Sequence, residues 1–94
     1  MLIVSGSIYV DASGRDAFVD ASRDAVVQAR RAPGCLDFVV AADPVEPDRV
    51  NVYERWESEA ELEAFRGDGP GPDLTSDIRR AEVSRYEVSS SGPA

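Results

Sequence analysis

The chain contains no histidine, and it holds one cysteine, one tryptophan and one methionine in 94 residues. Without histidine it lacks the commonest general base near neutral pH, the commonest zinc ligand and the usual proximal haem ligand. The lone Cys35 makes neither an internal disulfide nor a thiolate cluster, and a reducing cytoplasm is the compartment to expect. No apolar run approaches the roughly 20 residues of a membrane-spanning helix. The opening "MLIVSGSIYV" has no basic lead-in and alternates as a strand does, so it does not read as a signal peptide. Basic residues are also short: 10 against 18 acidic ones, for a net charge of -8. Phosphate backbones and anionic membrane surfaces demand the opposite sign, so neither nucleic acid nor membrane is an expected partner. Carboxylates are plentiful, but none has the spacing of an EF-hand loop, and no metal site is expected.

What remains is a chain of ordinary globular composition, 43% hydrophobic and 30% charged. Its length suits one domain, and a chain of this size buries roughly 60–65% of its unfolded surface. Such a core is thin, and pairing with a second copy would enlarge it.

Leu2 to Val10 alternates, with Leu2, Val4, Ile8 and Val10 on one side and Ile3, Ser5, Ser7 and Tyr9 on the other. That is a strand, and Gly6 on its apolar side marks a close approach. Asp11 or Ser13 then caps a helix whose stripe is Phe18, Ala21, Ser22, Ala25, Val26 and Ala29. Pro33 and Gly34 stop it. Cys35 to Ala42 reads as a second strand, with Leu36, Phe38 and Val40 on one face and Asp37, Val39 and Ala41 on the other. After the loop "DPVEPD", Arg49 to Trp56 is a third strand, and Ser58 with Glu61 forms a capping box for a helix anchored by Leu62 and Phe65. "GDGPGP" breaks that helix. A short helix is expected from about Asp73, with Leu74 and Ile78 as its apolar pair, then a last strand from Glu82 to Val88. The domain spans 1–88, and 89–94 reads as a disordered tail.

The order β-α-β-β-α-(α)-β predicts an α+β, ferredoxin-like split βαβ fold. Its four-stranded antiparallel sheet would carry helices on one face. The other face, with Ile3, Tyr9 and Val39, would favour a second sheet against it.

The stretch "APGCLDFVVAADP…DRVNVYERWESEAELEAF" resembles the antibiotic biosynthesis monooxygenase family: a Pro-Gly-Cys turn into a strand, a Tyr-Glu-x-Trp-Glu-Ser hinge, and a helix after it. The likeness runs from Leu2 to about Val88. It implies a dimeric α+β barrel, with two sheets face to face and a pocket in each subunit. It also implies an oxygenase using no metal, flavin or haem, which turns phenolic or anthrone-type polyketides, or quinols, into quinones with O2. Other members degrade haem, isomerise small phosphates or have no established activity. The haem-degrading branch uses a histidine after the tryptophan, where this chain has "EAFRGDG".

On that resemblance the candidate catalytic residues are Trp56, Asn51 and Ser7, and the candidate substrate contacts are Tyr9, Tyr53, Arg79 and Arg85. No cofactor is expected. Trp56 would line the pocket or plug the strand–helix corner. Alternation places Asn51, Tyr53 and Arg55 on one face and Val50, Val52, Glu54 and Trp56 on the other, so only a β-bulge would bring Asn51 and Trp56 together. Glu54 reads as a structural carboxylate or, if buried, as a base. Cys35 reads as a small buried hydrophobe. The expected reading is a homodimeric, cofactor-independent monooxygenase of a small aromatic substrate. A non-catalytic dimeric barrel that binds a small molecule, or an isomerase or cyclase on the same fold, stands as the alternative.

Overall fold

A computed structural model describes residues 1–67 and 77–94. Strand β1 (Leu2–Tyr9) leads into a 3-10 turn, Ala12–Gly14, and helices α1 (Arg15–Ala21) and α2 (Arg23–Arg31). Strands β2 (Cys35–Ala42) and β3 (Arg49–Trp56), helix α3 (Glu59–Gly67) and strand β4 (Arg80–Glu87) complete the described chain. The strands form one antiparallel sheet in the order β2-β3-β1-β4. This is the expected ferredoxin-like α+β arrangement.

The local reasons are visible. Asp11 caps the 3-10 turn, its Oδ1 accepting from the Ser13 N–H at 3.0 Å and the Ser13 hydroxyl at 2.7 Å. The first helical segment, expected as one helix, is divided at Ser22. There the Oγ donates to the Val19 carbonyl at 2.7 Å, and such back-bonding competes with the helical ladder. At α3, Ser58 Oγ accepts from the Glu61 N–H at 3.3 Å, which is the serine half of the predicted box, and donates to the Glu61 carboxylate at 3.2 Å.

Gly34 sits at φ 82, and a Cβ there would collide with the Glu61 side chain. The turn after α2 thereby seats the start of α3, and the Glu57 N–H donates to the Gly34 carbonyl at 2.8 Å. Gly6 marks a close approach as expected, since a Cβ on it would overlap the Glu82 carbonyl of β4.

Register assigns the faces. Leu2, Val4 and Ile8 of β1 lie beside Trp56, Glu54 and Val50 of β3, on the side covered by helices. On β2 a bulge between Cys35 and Asp37 shifts the pairing. Alternation alone had put Leu36 in line with Phe38 and Val40. The bulge seats Cys35 there instead, opposite Trp56, and leaves Leu36 42% exposed. The last strand starts at Arg80, two residues earlier than expected, because all eight residues of β4 pair with β1. The expected short helix from Asp73, with Leu74, falls largely outside the described residues. Residues 89–94 carry no helix or strand.

The buried core comes in two clusters. One holds Leu2, Val4, Trp56 and Leu62, with Phe38, Phe65 and Cys35 against it; the other holds Ile8, Val10, Phe18 and Val50. Between them runs one row across the sheet, Val40–Val52–Gly6–Val83, that is only partly covered, and Val83 at its end is 38% exposed.

Candidate functional site

The bulge that would have joined Asn51 to Trp56 is absent from β3, which pairs with β1 in unbroken register from Arg49 to Trp56. The sequence-derived candidates therefore divide between two faces. Trp56 and Arg85 point to the helices. Ser7, Tyr9, Asn51 and Tyr53 lie on the open face.

On the open face, the amide of Asn51 is the candidate polar group whose hydrogen bonds are filled by neighbouring side chains. Ser5, Ser7, Asn51 and Tyr53 edge a shallow depression of ≈ 270 Å³. Asn51 accepts from Arg49 Nε at 2.7 Å through Oδ1 and donates to Asp43 at 2.9 Å through Nδ2. Asp43 also accepts from the Val45 and Glu46 N–H groups, and these bonds hold its carboxyl at about 2. Asn51 thus fastens the β2–β3 loop to the sheet. Ser7 is buried among its neighbours, and the Arg80 guanidinium covers the Tyr9 ring at 4.2 Å. Farther along this face Arg55 Nε is buried with no hydrogen-bond partner among the described residues.

The helix side is chemically different. The Trp56 ring has 0% exposure and stands 5.4 Å from the Phe65 ring, and Phe65 meets Phe38 edge-on at 6.2 Å. The indole of Trp56 therefore plugs the strand–helix corner and offers no face to a ligand here. Its N–H, which needs an acceptor in such a setting, donates to Glu54 Oε1 at 3.0 Å.

Glu54, which the sequence offered as a structural carboxylate or, if buried, a base, lies on this side. It is 8% exposed, and burial raises its carboxyl above the ordinary range. The indole bond and the nearby charges of Arg66 and Arg85 act in the opposite direction without cancelling that effect. The available signal was the i, i+2 spacing of Glu54 and Trp56, which places both on one strand face. In register Glu54 stands between Phe38 and Val4, next to the partly covered row of Val52, Gly6 and Val83. Gly6 contributes no side chain to that row. Beyond Val4 lies Arg85, held against α3 by Glu59 at 3.1 Å and Glu63 at 2.8 Å. Cys35 lies on the far side of Phe38, and burial pushes its thiol up, with the Glu54 charge adding to the effect.

Arg79 is not on a helix. It lies just before β4, where its N–H donates to the Tyr9 carbonyl at 2.8 Å, and its charge lies near Asp11 at the opposite end of the sheet from Trp56. It is not brought together with Glu54 or Arg85. Among the described residues no group of three or more Cys, Asp or Glu side chains is placed to hold a metal, and no helix is long and apolar enough to cross a membrane.

The family model described as "Antibiotic biosynthesis monooxygenase" matches residues 1–69. Among solved structures the chain is similar to a protein of Nitrosomonas europaea, provisionally described as an antibiotic biosynthesis monooxygenase. The TM-score is 0.82 at 17% identity, covering 96% of this chain and 100% of that one. A Deinococcus radiodurans protein of the same provisional description gives 0.81 at 17% identity, over 100% and 98% of the two chains. A third, from Chloroflexus aurantiacus, is 26% identical with a TM-score of 0.70, over 97% and 96%. No curated protein matches.

Proposed function

The chain belongs to the antibiotic biosynthesis monooxygenase family, and from that premise we propose that it is a cofactor-independent monooxygenase. Its substrate would be an electron-rich aromatic compound, a polyketide anthrone or a quinol, oxidised to the quinone with O2. The observation that carries this reading is the helix-side arrangement. A partly covered apolar row stands beside a buried carboxylate, with an aromatic nest behind it.

The chemistry asks for little else. Once deprotonated, an anthrone or phenol passes one electron to O2, and the radical pair recombines to a hydroperoxide. For an anthrone methylene, loss of water then leaves the carbonyl, so CH2 and O2 become C=O and H2O. The protein must place the ring, favour the anion and exclude bulk water. Val40, Val52 and Val83 supply an apolar surface for the ring, and Arg85 and Arg66 supply the positive field beside Glu54. Proteins of this family form dimers, and this chain would act as a homodimer in the cytoplasm, its open sheet face against that of a second copy.

Oxygen uptake with a panel of anthrones and hydroquinones, with no metal or flavin added, tests the reading. Consumption above the autoxidation rate is expected for at least one compound, and its absence throughout overturns the proposal. A second reading, a non-catalytic barrel that binds a small molecule, is favoured by the sealed Trp56 ring and the occupied amide of Asn51. It predicts binding of the same compounds with no oxygen consumed.

A further inference from the structure

An oxygenase of this kind needs a group that removes the first proton, and the chain has no histidine to do it. The tyrosines and the open-face residues stand across the sheet from the apolar row. On the helix side, Glu54 is a carboxylate among hydrophobic neighbours: Val4 beside it on β1, Phe38 on β2, Trp56 two positions on, and the α3 residues Leu62 and Phe65 in the cluster behind. Its Oε1 is fixed by the indole at 3.0 Å, while Oε2 takes no hydrogen bond among the described residues.

We propose that Glu54 is the base that takes the substrate proton, with Oε1 held by the Trp56 indole and Oε2 left to receive it. This rests on the oxygenase reading and names the acid–base residue of that same site. In the step, the C–H or O–H bond of the substrate breaks and its electron pair stays on the substrate. The proton forms an O–H bond on Glu54, and the acid returns it to the peroxide after O2 has added. Trp56 is a positioning residue, acting through Glu54.

Among the described residues, three charged or titratable groups act on Glu54 or are acted on by it. Arg66 comes from α3, Arg85 from β4 and Cys35 from β2. The two cations favour the carboxylate and, once it is protonated, the substrate anion beside it. Burial acts the other way on Glu54 itself and raises its affinity for a proton, which is what a base near neutral pH requires.

The test separates proton removal from oxygen chemistry. Anthrone is incubated with the protein in D2O with oxygen excluded, and exchange of its methylene protons is followed by NMR. Wild type is expected to accelerate exchange over buffer, with a rate that rises with pH through a pKa above the ordinary carboxylate range. Glu54→Gln keeps an oxygen acceptor for the indole and should lose on the order of 100-fold of that rate. Retained Trp56 fluorescence and melting behaviour show that the variant is folded. If Glu54→Gln does not fold, Glu54→Asp decides: exchange at the wild-type rate from a carboxylate drawn back by one methylene overturns the proposal. Exchange at the buffer rate in wild type, or at the wild-type rate in Glu54→Gln, also overturns it. Glu54-dependent exchange without oxygen uptake in air would leave the base in place and remove the oxygenase. Uptake in air without Glu54-dependent exchange would do the reverse.

Discussion

Trp56 donates its indole N–H to Glu54, two residues earlier on the same face of β3, at 3.0 Å, with the ring fully buried against Phe65 of α3 and the glutamate 8% exposed. Among the described residues, the bond ties the most buried aromatic to the most buried carboxylate. What each does depends on the other.

Replacing Trp56 divides packing from hydrogen bonding. Trp56→Ala removes a fully buried ring from a four-residue cluster and should cost about 3–5 kcal/mol, read by urea unfolding. Trp56→Phe keeps much of the volume but leaves Glu54 without its donor, a loss of roughly 1–3 kcal/mol. Because that bond lowers the Glu54 pKa, its removal should raise it further. The pH limb of anthrone exchange should then move to higher pH in Trp56→Phe.

Glu54 should also mark the stability profile. Its folded pKa is raised above the unfolded value of about 4.5, so the unfolded chain releases the proton more readily. Stability from the protonated carboxyl is complete below that value and declines as pH rises through the folded pKa. Melting curves across that window should fall with pH in wild type and fall less in Glu54→Gln.

Asp43 has the opposite sign. Its pKa, lowered to about 2 by bonds from Glu46, Asn51 and Val45, contributes stability above about 3.8 that is lost as pH falls toward 2. Asn51→Ala should narrow that acid tolerance by loosening the β2–β3 loop. Oxygen uptake at neutral pH should stay within about twofold of wild type, because Asn51 lies across the sheet from Glu54. A large loss of turnover with unchanged stability would restore Asn51 as a catalytic residue.

Gly34→Ala forces a side chain into a left-handed backbone, at a cost of roughly 1–2 kcal/mol. The clash with Glu61 adds to that and should unseat α3. A drop in melting temperature is expected, together with increased exposure of Trp56 in its emission spectrum.

The open face gives an assembly prediction. Size-exclusion mass should be twice the 10.1 kDa of one chain, and Tyr53→Lys, at the middle of that face, should return it to monomer. A wild-type monomer would exclude the barrel. Arg55 also lies on this face, its Nε buried with no hydrogen-bond partner among the described residues.

Much of this was legible in the residues. The alternation of Leu2, Val4 and Ile8 against Ile3, Ser5 and Ser7 determined the faces of β1, and Ser58 with Glu61 determined the start of α3. The element order determined the sheet, and "YERWES" carried the family. These signals are local, with a period of two or a cap three residues long, so neighbouring residues contain them. The division of the first helix at Ser22, the bulge that replaces Leu36 with Cys35, and the early start of β4 were not legible. A hydroxyl can cap, bend or face water with the same sequence around it, and register is decided by the strand across the sheet. The same holds for the site. Sequence put Glu54 and Trp56 on one face and Asn51 on the other. Only the packing of α3 over β3 made Trp56 inaccessible and Glu54 a buried acid, because desolvation depends on every neighbour at once.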